Sequence, residues 1–139
     1  MKRLVLLVLV IFFLTPPLQV NAKNEKGGDV DLIKMRATAY PDTGRKTYSG
    51  VWPYAGIAGS HKDFIGMTAI VYQRLPNDEV GEVIGIYEIE DTGDTEGVNN
   101  KHVIDIWCPD LDTCQLFMNR VYEDGCQGKV YVQLLEAVG

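Results

Sequence analysis

The chain has 139 residues, with 19 acidic side chains against 13 basic ones and a formal charge of −6. That is the length of one domain, and the acidic balance argues against nucleic acid, whose phosphates call for clustered Lys and Arg. It also opposes bulk attraction to anionic lipid or wall polymers, so any wall substrate would have to be held in a local groove.

In chain order, Lys2-Arg3, the apolar run Leu4 to Leu14, Pro16-Pro17 and the small-residue end Val20-Asn21-Ala22 read as a secretory signal over residues 1–22. The run is too short for the ~20 residues of a membrane span, so it is expected to be removed, leaving a secreted protein with no stable membrane insertion. Cleavage after Ala22 leaves 117 residues, and the loss of Lys2 and Arg3 takes the charge to −8. Residues 23–31 are polar and Gly-rich, a flexible linker, and residues 32–139 are read as one domain.

Leu32 to Tyr40 alternates Ile33, Met35, Ala37 and Ala39 with Lys34, Arg36, Thr38 and Tyr40, which predicts a strand with one wet face, broken at Pro41-Asp42-Thr43-Gly44. A polar, aromatic loop over Thr47 to Pro53 leads into the short segment Gly56-Ile57-Ala58. Its rings Tyr48 and Trp52, with Tyr54 just beyond, either cover an edge of the core or stack on sugar faces. Further strands are predicted at Met67 to Gln73, Val83 to Glu90, Val103 to Trp107 and Lys129 to Leu135. The one helix runs from Leu111 to Tyr122: Cys114, Phe117, Met118, Val121 and Tyr122 have three-and-four spacing, Asp110 or Asp112 caps the start and Gly125 stops it. Counting the Gly56-Ile57-Ala58 segment, about six short strands with a single helix argue for a mainly β chain, a small closed β-barrel.

Two carboxylates fall at strand ends. Asp91 follows the apolar residues Ile84, Ile86 and Ile89 and precedes Thr92-Gly93, a turn able to aim it out of the sheet. Asp105 lies inside Val103-Ile104-Asp105-Ile106-Trp107, where alternation puts it on one face with Val103 and Trp107. Those neighbours partly desolvate it and favour the protonated form that a general acid needs.

Other chemistries fit less well. Asp-Thr-Gly occurs at both Asp42 and Asp91, but an aspartic-protease dyad needs both copies after apolar strands, and only the second follows one. Ser49 and Ser60 lack a nucleophile-elbow setting, and His61 and His102 are isolated residues expected at surface or loop positions. Nothing suggests a metal or an organic cofactor, since no Cys-x-x-Cys pair exists. The cysteines Cys108, Cys114 and Cys126 are read as structural in an exported chain. Pairing Cys108 with Cys126 would staple the helix, and pairing Cys108 with Cys114 would close a short loop; the first is favoured.

Acid catalysis by a strand carboxylate is the chemistry that protonates a glycosidic oxygen, and here the residues carry a resemblance. Arg36-Ala37-Thr38-Ala39-Tyr40, Thr47-Tyr48-Ser49-Gly50, Gly56-Ile57-Ala58, Glu90-Asp91-Thr92-Gly93 and Ile104-Asp105-Ile106-Trp107 follow the order of the three-aspartate (3D) domain. That family is similar to the catalytic domain of the membrane-bound lytic transglycosylase A. The likeness runs from about Met35 to Gln133. It implies a six-stranded double-psi β-barrel, acting as a monomer on peptidoglycan glycan strands. The implied reaction cleaves between N-acetylmuramic acid and N-acetylglucosamine to leave a 1,6-anhydro sugar. Asp105 matches the catalytic acid and base, and Asp91 the second aspartate. Ser60, Thr38, Tyr40, Thr47, Thr92 and Gly93 would line the substrate. Ser60 stands where the family has its first aspartate, with Asp63 nearby as a stand-in. The alternative is a non-catalytic glycan-binding module on the same fold.

Overall fold

The computed structural model describes residues 30–92, 100–123 and 127–139. The signal segment, residues 23–29 of the linker, Gly93, Gly125 and Cys126 lie outside the described residues. The protein is mainly β. Its strands are β1 (Ile33–Pro41), β2 (Ile57–Gly59), β3 (Thr68–Arg74), β4 (Val80–Asp91), β5 (Val103–Cys108) and β6 (Lys129–Leu135), with one helix, α1 (Leu111–Tyr122), between β5 and β6.

The strands form one mixed sheet that closes in a ring, in the order β1-β5-β2-β4-β3-β6 and back to β1. Two pairings are parallel, β1 with β5 and β2 with β4; the others are antiparallel. Among the described residues, closure leaves no long strand edge exposed to another chain. One face of each strand supplies the interior: Met35 and Ala37, Ala58, Ala69 and Val71, Ile89, Ile104 and Ile106, Val130 and Val132 are all buried. These are the alternate positions that strand periodicity selects, and removing their apolar surface from water is the main force holding the ring closed.

Helix α1 begins where Asp110, in extended backbone, accepts a hydrogen bond from the Thr113 N–H at 2.8 Å. That satisfies one of the unpaired donors of the first turn. Cys114 and Val121 are buried, and Phe117 and Met118 pack on the same core. Beyond the helix, Gly128 takes φ +71° and donates to the Val121 carbonyl at 3.0 Å, while its own carbonyl accepts from the Ala37 N–H at 2.7 Å. The left-handed backbone favours glycine there, and a Cβ would lie 2.7 Å from the outer end of the half-exposed Tyr122 ring, which would have to swing aside.

Cys108 and Cys114 are not paired with each other, and both are buried free thiols, while Cys126 of the favoured pairing lies outside the described residues. They act as small apolar core residues. Burial, with the Cys114 side chain beside it, pushes the Cys108 thiol up to about 12.

Candidate active site

The register brings four residues from four strands into one row. Thr38 on β1 pairs with Asp105 on β5, Asp105 with Gly59 on β2, and Gly59 with Asp91 on β4. Directly paired residues show their side chains on the same face of a sheet, so Thr38, Asp105 and Asp91 share one. Gly59 has no side chain, which leaves an open strip between the two carboxylates. Their Cα atoms stand two strand spacings apart, about 10 Å. That is wide for a proton-sharing dyad, whose carboxylates approach to about 3 Å.

Strict alternation would not have put Asp91 there. Ile89 faces the core, and two residues on from it is the core side again. A register shift intervenes: Ala58 pairs with Ile89, but Gly59 pairs with Asp91, so Glu90 is the extra residue of a bulge. The bulge moves Asp91 onto the face of Asp105, one of the ways bulges re-aim side chains.

Each carboxylate is held. The Thr38 hydroxyl donates to Asp105 Oδ1 at 2.7 Å. Asp91 accepts from the Tyr40 hydroxyl on Oδ2 at 3.1 Å, and on Oδ1 from the backbone N–H groups of Tyr48 at 3.2 Å and Thr92 at 2.9 Å. Tyr40 therefore reaches from β1 across the row to β4. Burial raises its phenol far above the ordinary range, and the charges of Asp91 and then Asp105 push the same way. It stays a hydroxyl donor at any neutral or mildly alkaline pH. Trp107 is paired with Tyr40 in the register and lies on Asp105's face; its indole N–H is buried without a partner among the described residues.

The other sequence-predicted residues have structural partners. Thr47 is buried, its hydroxyl 3.1 Å from Ser49 Oγ and donating to the Val51 carbonyl at 3.2 Å, and Thr92 is buried beside Asp91. Ser60 is 1% exposed; its hydroxyl donates to the Val103 carbonyl at 2.7 Å and its N–H to the Asp91 carbonyl at 2.9 Å. It ties β4, β2 and β5 together beneath the row. Asp63 is half exposed and pairs with Lys101 at 3.0 Å, which holds its carboxyl below the usual range. His61 is in a loop but is not a surface residue. It is 8% exposed, accepts from the Asp63 N–H on Nδ1, and packs against Phe64 at the start of a 3₁₀ turn, Lys62–Phe64, that the sequence did not signal. The first Asp-Thr-Gly is a turn: exposed Asp42 accepts from the Gly44 N–H. Among the described residues no group of three His, Cys, Asp or Glu is placed to hold a metal ion.

The aromatic loop does not cover the core. Tyr48, Trp52 and Tyr54 are 67%, 62% and 47% exposed, and the loop that carries them is fastened to the site through Asp91 and Glu90.

Comparisons with protein-family models, with curated proteins and with solved structures found no match to this chain.

Proposed function

We propose that the protein is a secreted lytic transglycosylase-like enzyme of the 3D-domain kind, cleaving peptidoglycan between N-acetylmuramic acid and N-acetylglucosamine with Asp105 as general acid and base. The observation that carries the reading is the row Thr38–Asp105–Gly59–Asp91, two carboxylates on one face either side of a residue with no side chain. What supports the finer fold, a double-psi β-barrel, is the pair of parallel pairings, β1–β5 and β2–β4, inside an otherwise antiparallel closed ring.

In this mechanism the Asp105 carboxyl, oriented by the Thr38 hydroxyl, gives its proton to the glycosidic oxygen as the C1–O bond breaks. The muramic acid's own C6 hydroxyl closes on C1, and its proton passes to Asp105, restoring the acid. No water is activated, so no second catalytic base is needed. Asp91, held by three donors, shapes the far wall and takes hydroxyl hydrogen bonds from the glycan. Ser60, buried and bonded to Val103, supports the row from below.

Ser60 also favours the second reading, a glycan-binding module without catalysis, because a hydroxyl bonded to a backbone carbonyl stands where the family has an aspartate. Digestion of purified peptidoglycan by the full chain, read by mass spectrometry, separates the two. Muropeptides with 1,6-anhydro ends are expected. Hydrolysed reducing ends would replace the transglycosylase reading with a hydrolase, and co-sedimentation without any product would leave the binding module.

A further inference from the structure

Tyr48 and Trp52 are each more than half exposed and Tyr54 nearly so, three large aromatic side chains within seven residues, and clustered exposed apolar surface of this kind marks interaction sites. Their loop is not a loose excursion. Thr47 N–H donates to the Val51 carbonyl at 2.9 Å and Gly50 N–H to the Thr47 carbonyl at 3.0 Å, with Gly50 at φ +89° allowing the turn. Ser49 is then clamped to β4 twice, its N–H on the Glu90 carbonyl at 3.0 Å and its hydroxyl on the Glu90 carboxylate. Tyr48 N–H meets Asp91 Oδ1 directly. The rings are thus carried on backbone fixed against the carboxylate strand, which lowers the entropy lost when a ligand orders them.

We infer that Tyr48 and Trp52 form a sugar-stacking subsite continuous with the Asp91 end of the row, which takes the glycan strand of peptidoglycan on the side away from Asp105. This rests on the reading of the row as a glycan groove. The chemistry that fits is an uncharged, hydroxyl-rich ring. Its apolar C–H face lies on the aromatic faces while its hydroxyls donate to Asp91 and Glu90. The N-acetylglucosamine units of the strand meet this description, whereas the lactyl carboxylate of an unsubstituted N-acetylmuramic acid would meet Asp91, Glu90 and the −6 net charge as repulsion. Lys46 stands 5.7 Å from the Trp52 ring centroid and covers part of one face, so the sugar takes the open one.

The test is binding, measured in the full chain carrying Asp105→Asn so that turnover does not consume the probe. The probe is chitotetraose, an uncharged tetrasaccharide of N-acetylglucosamine, titrated calorimetrically. Trp52→Ala and Tyr48→Ala added to that background should each weaken affinity about tenfold, and Trp52→Phe should keep most of it. Unchanged affinity in both Ala variants overturns the inference, as does an Asp105→Asn parent that does not bind. Binding that depends on Trp52 in a protein whose wild type yields no anhydro product keeps the subsite and removes the enzyme. Anhydro product from the wild type, with both Ala variants binding normally, does the reverse.

Discussion

Thr38 offers the most economical change at the site. Its hydroxyl is bonded to Asp105 Oδ1 on the neighbouring strand, so Thr38→Val keeps the shape and removes that one bond to the acid. Activity on peptidoglycan should fall roughly tenfold with Thr38→Val and recover with Thr38→Ser, since loss of one such bond to a carboxylate is worth about 1.4 kcal/mol. A fully active Val variant would mean that Thr38 does not position the acid. Ser60 is the opposite case, a side chain whose value lies in the fold. Ser60→Ala leaves the Val103 carbonyl without its donor and should cost roughly 1–3 kcal/mol. Ser60→Asp should cost more, because it would press a buried charge against that same carbonyl. Thermal melts of the three proteins check the order; an Asp variant as stable as the wild type would show that the pocket takes a carboxylate after all.

The first, fifth and sixth strands and the helix were legible in the sequence because each follows one periodicity. The alternation of Met35 and Ala37 against Arg36 and Thr38, and of Val103, Asp105 and Trp107 against Ile104 and Ile106, predicts the faces found, and Leu111–Tyr122 has the limits its spacing and cap predict. The bulge at Glu90 was not legible. A register shift depends on which strand lies alongside, and nothing in Ile-Glu-Asp-Thr marks the extra residue that turns Asp91 to Asp105's side. The 3₁₀ turn that buries His61 was missed for a related reason, since three residues are too few to show a period. The positive-φ glycines behind these elements give a test that does not depend on the site. Gly128→Ala meets both a left-handed backbone and the Tyr122 ring 2.7 Å from its Cβ, and should destabilise by more than about 1 kcal/mol. Gly44→Ala, at φ +68° with nothing within 4 Å, should cost less. Denaturant midpoints of the pair decide it, and equal losses would contradict the packing account.

The closed ring has ionic ties whose pH dependence can be signed. Asp78, in the β3–β4 turn, is held well below the usual carboxylate range by Arg74, then Lys34 and Tyr131, and so ties β1 and β6 to that turn. Asp63 is lowered by Lys101 and Asp110 by Thr113. All three bind protons more weakly folded than unfolded, so their stabilisation is present above about pH 4 and fades as pH falls below it. They are exposed, so salt should shrink the effect. Melting temperature should accordingly drop below pH 4, and Asp78→Asn should flatten that drop; an unchanged slope would remove Asp78 as its main source. Cys108 and Tyr40 act at the other end. Their raised values keep the neutral forms folded, so what they contribute is complete below the unfolded values near 8.5 and 10 and is lost as pH rises beyond them. The central claim is that one carboxylate, Asp105, moves the proton while Asp91 shapes the groove. The direct measurement is the rate of anhydromuropeptide release from purified peptidoglycan by the wild type, Asp105→Asn and Asp91→Asn, alongside their melting temperatures. Asp105→Asn should lose at least about 100-fold with melting within a few degrees of the wild type, and Asp91→Asn should lose less. An Asp105→Asn protein that releases product as fast as the wild type, or a larger loss at Asp91, would contradict the assignment.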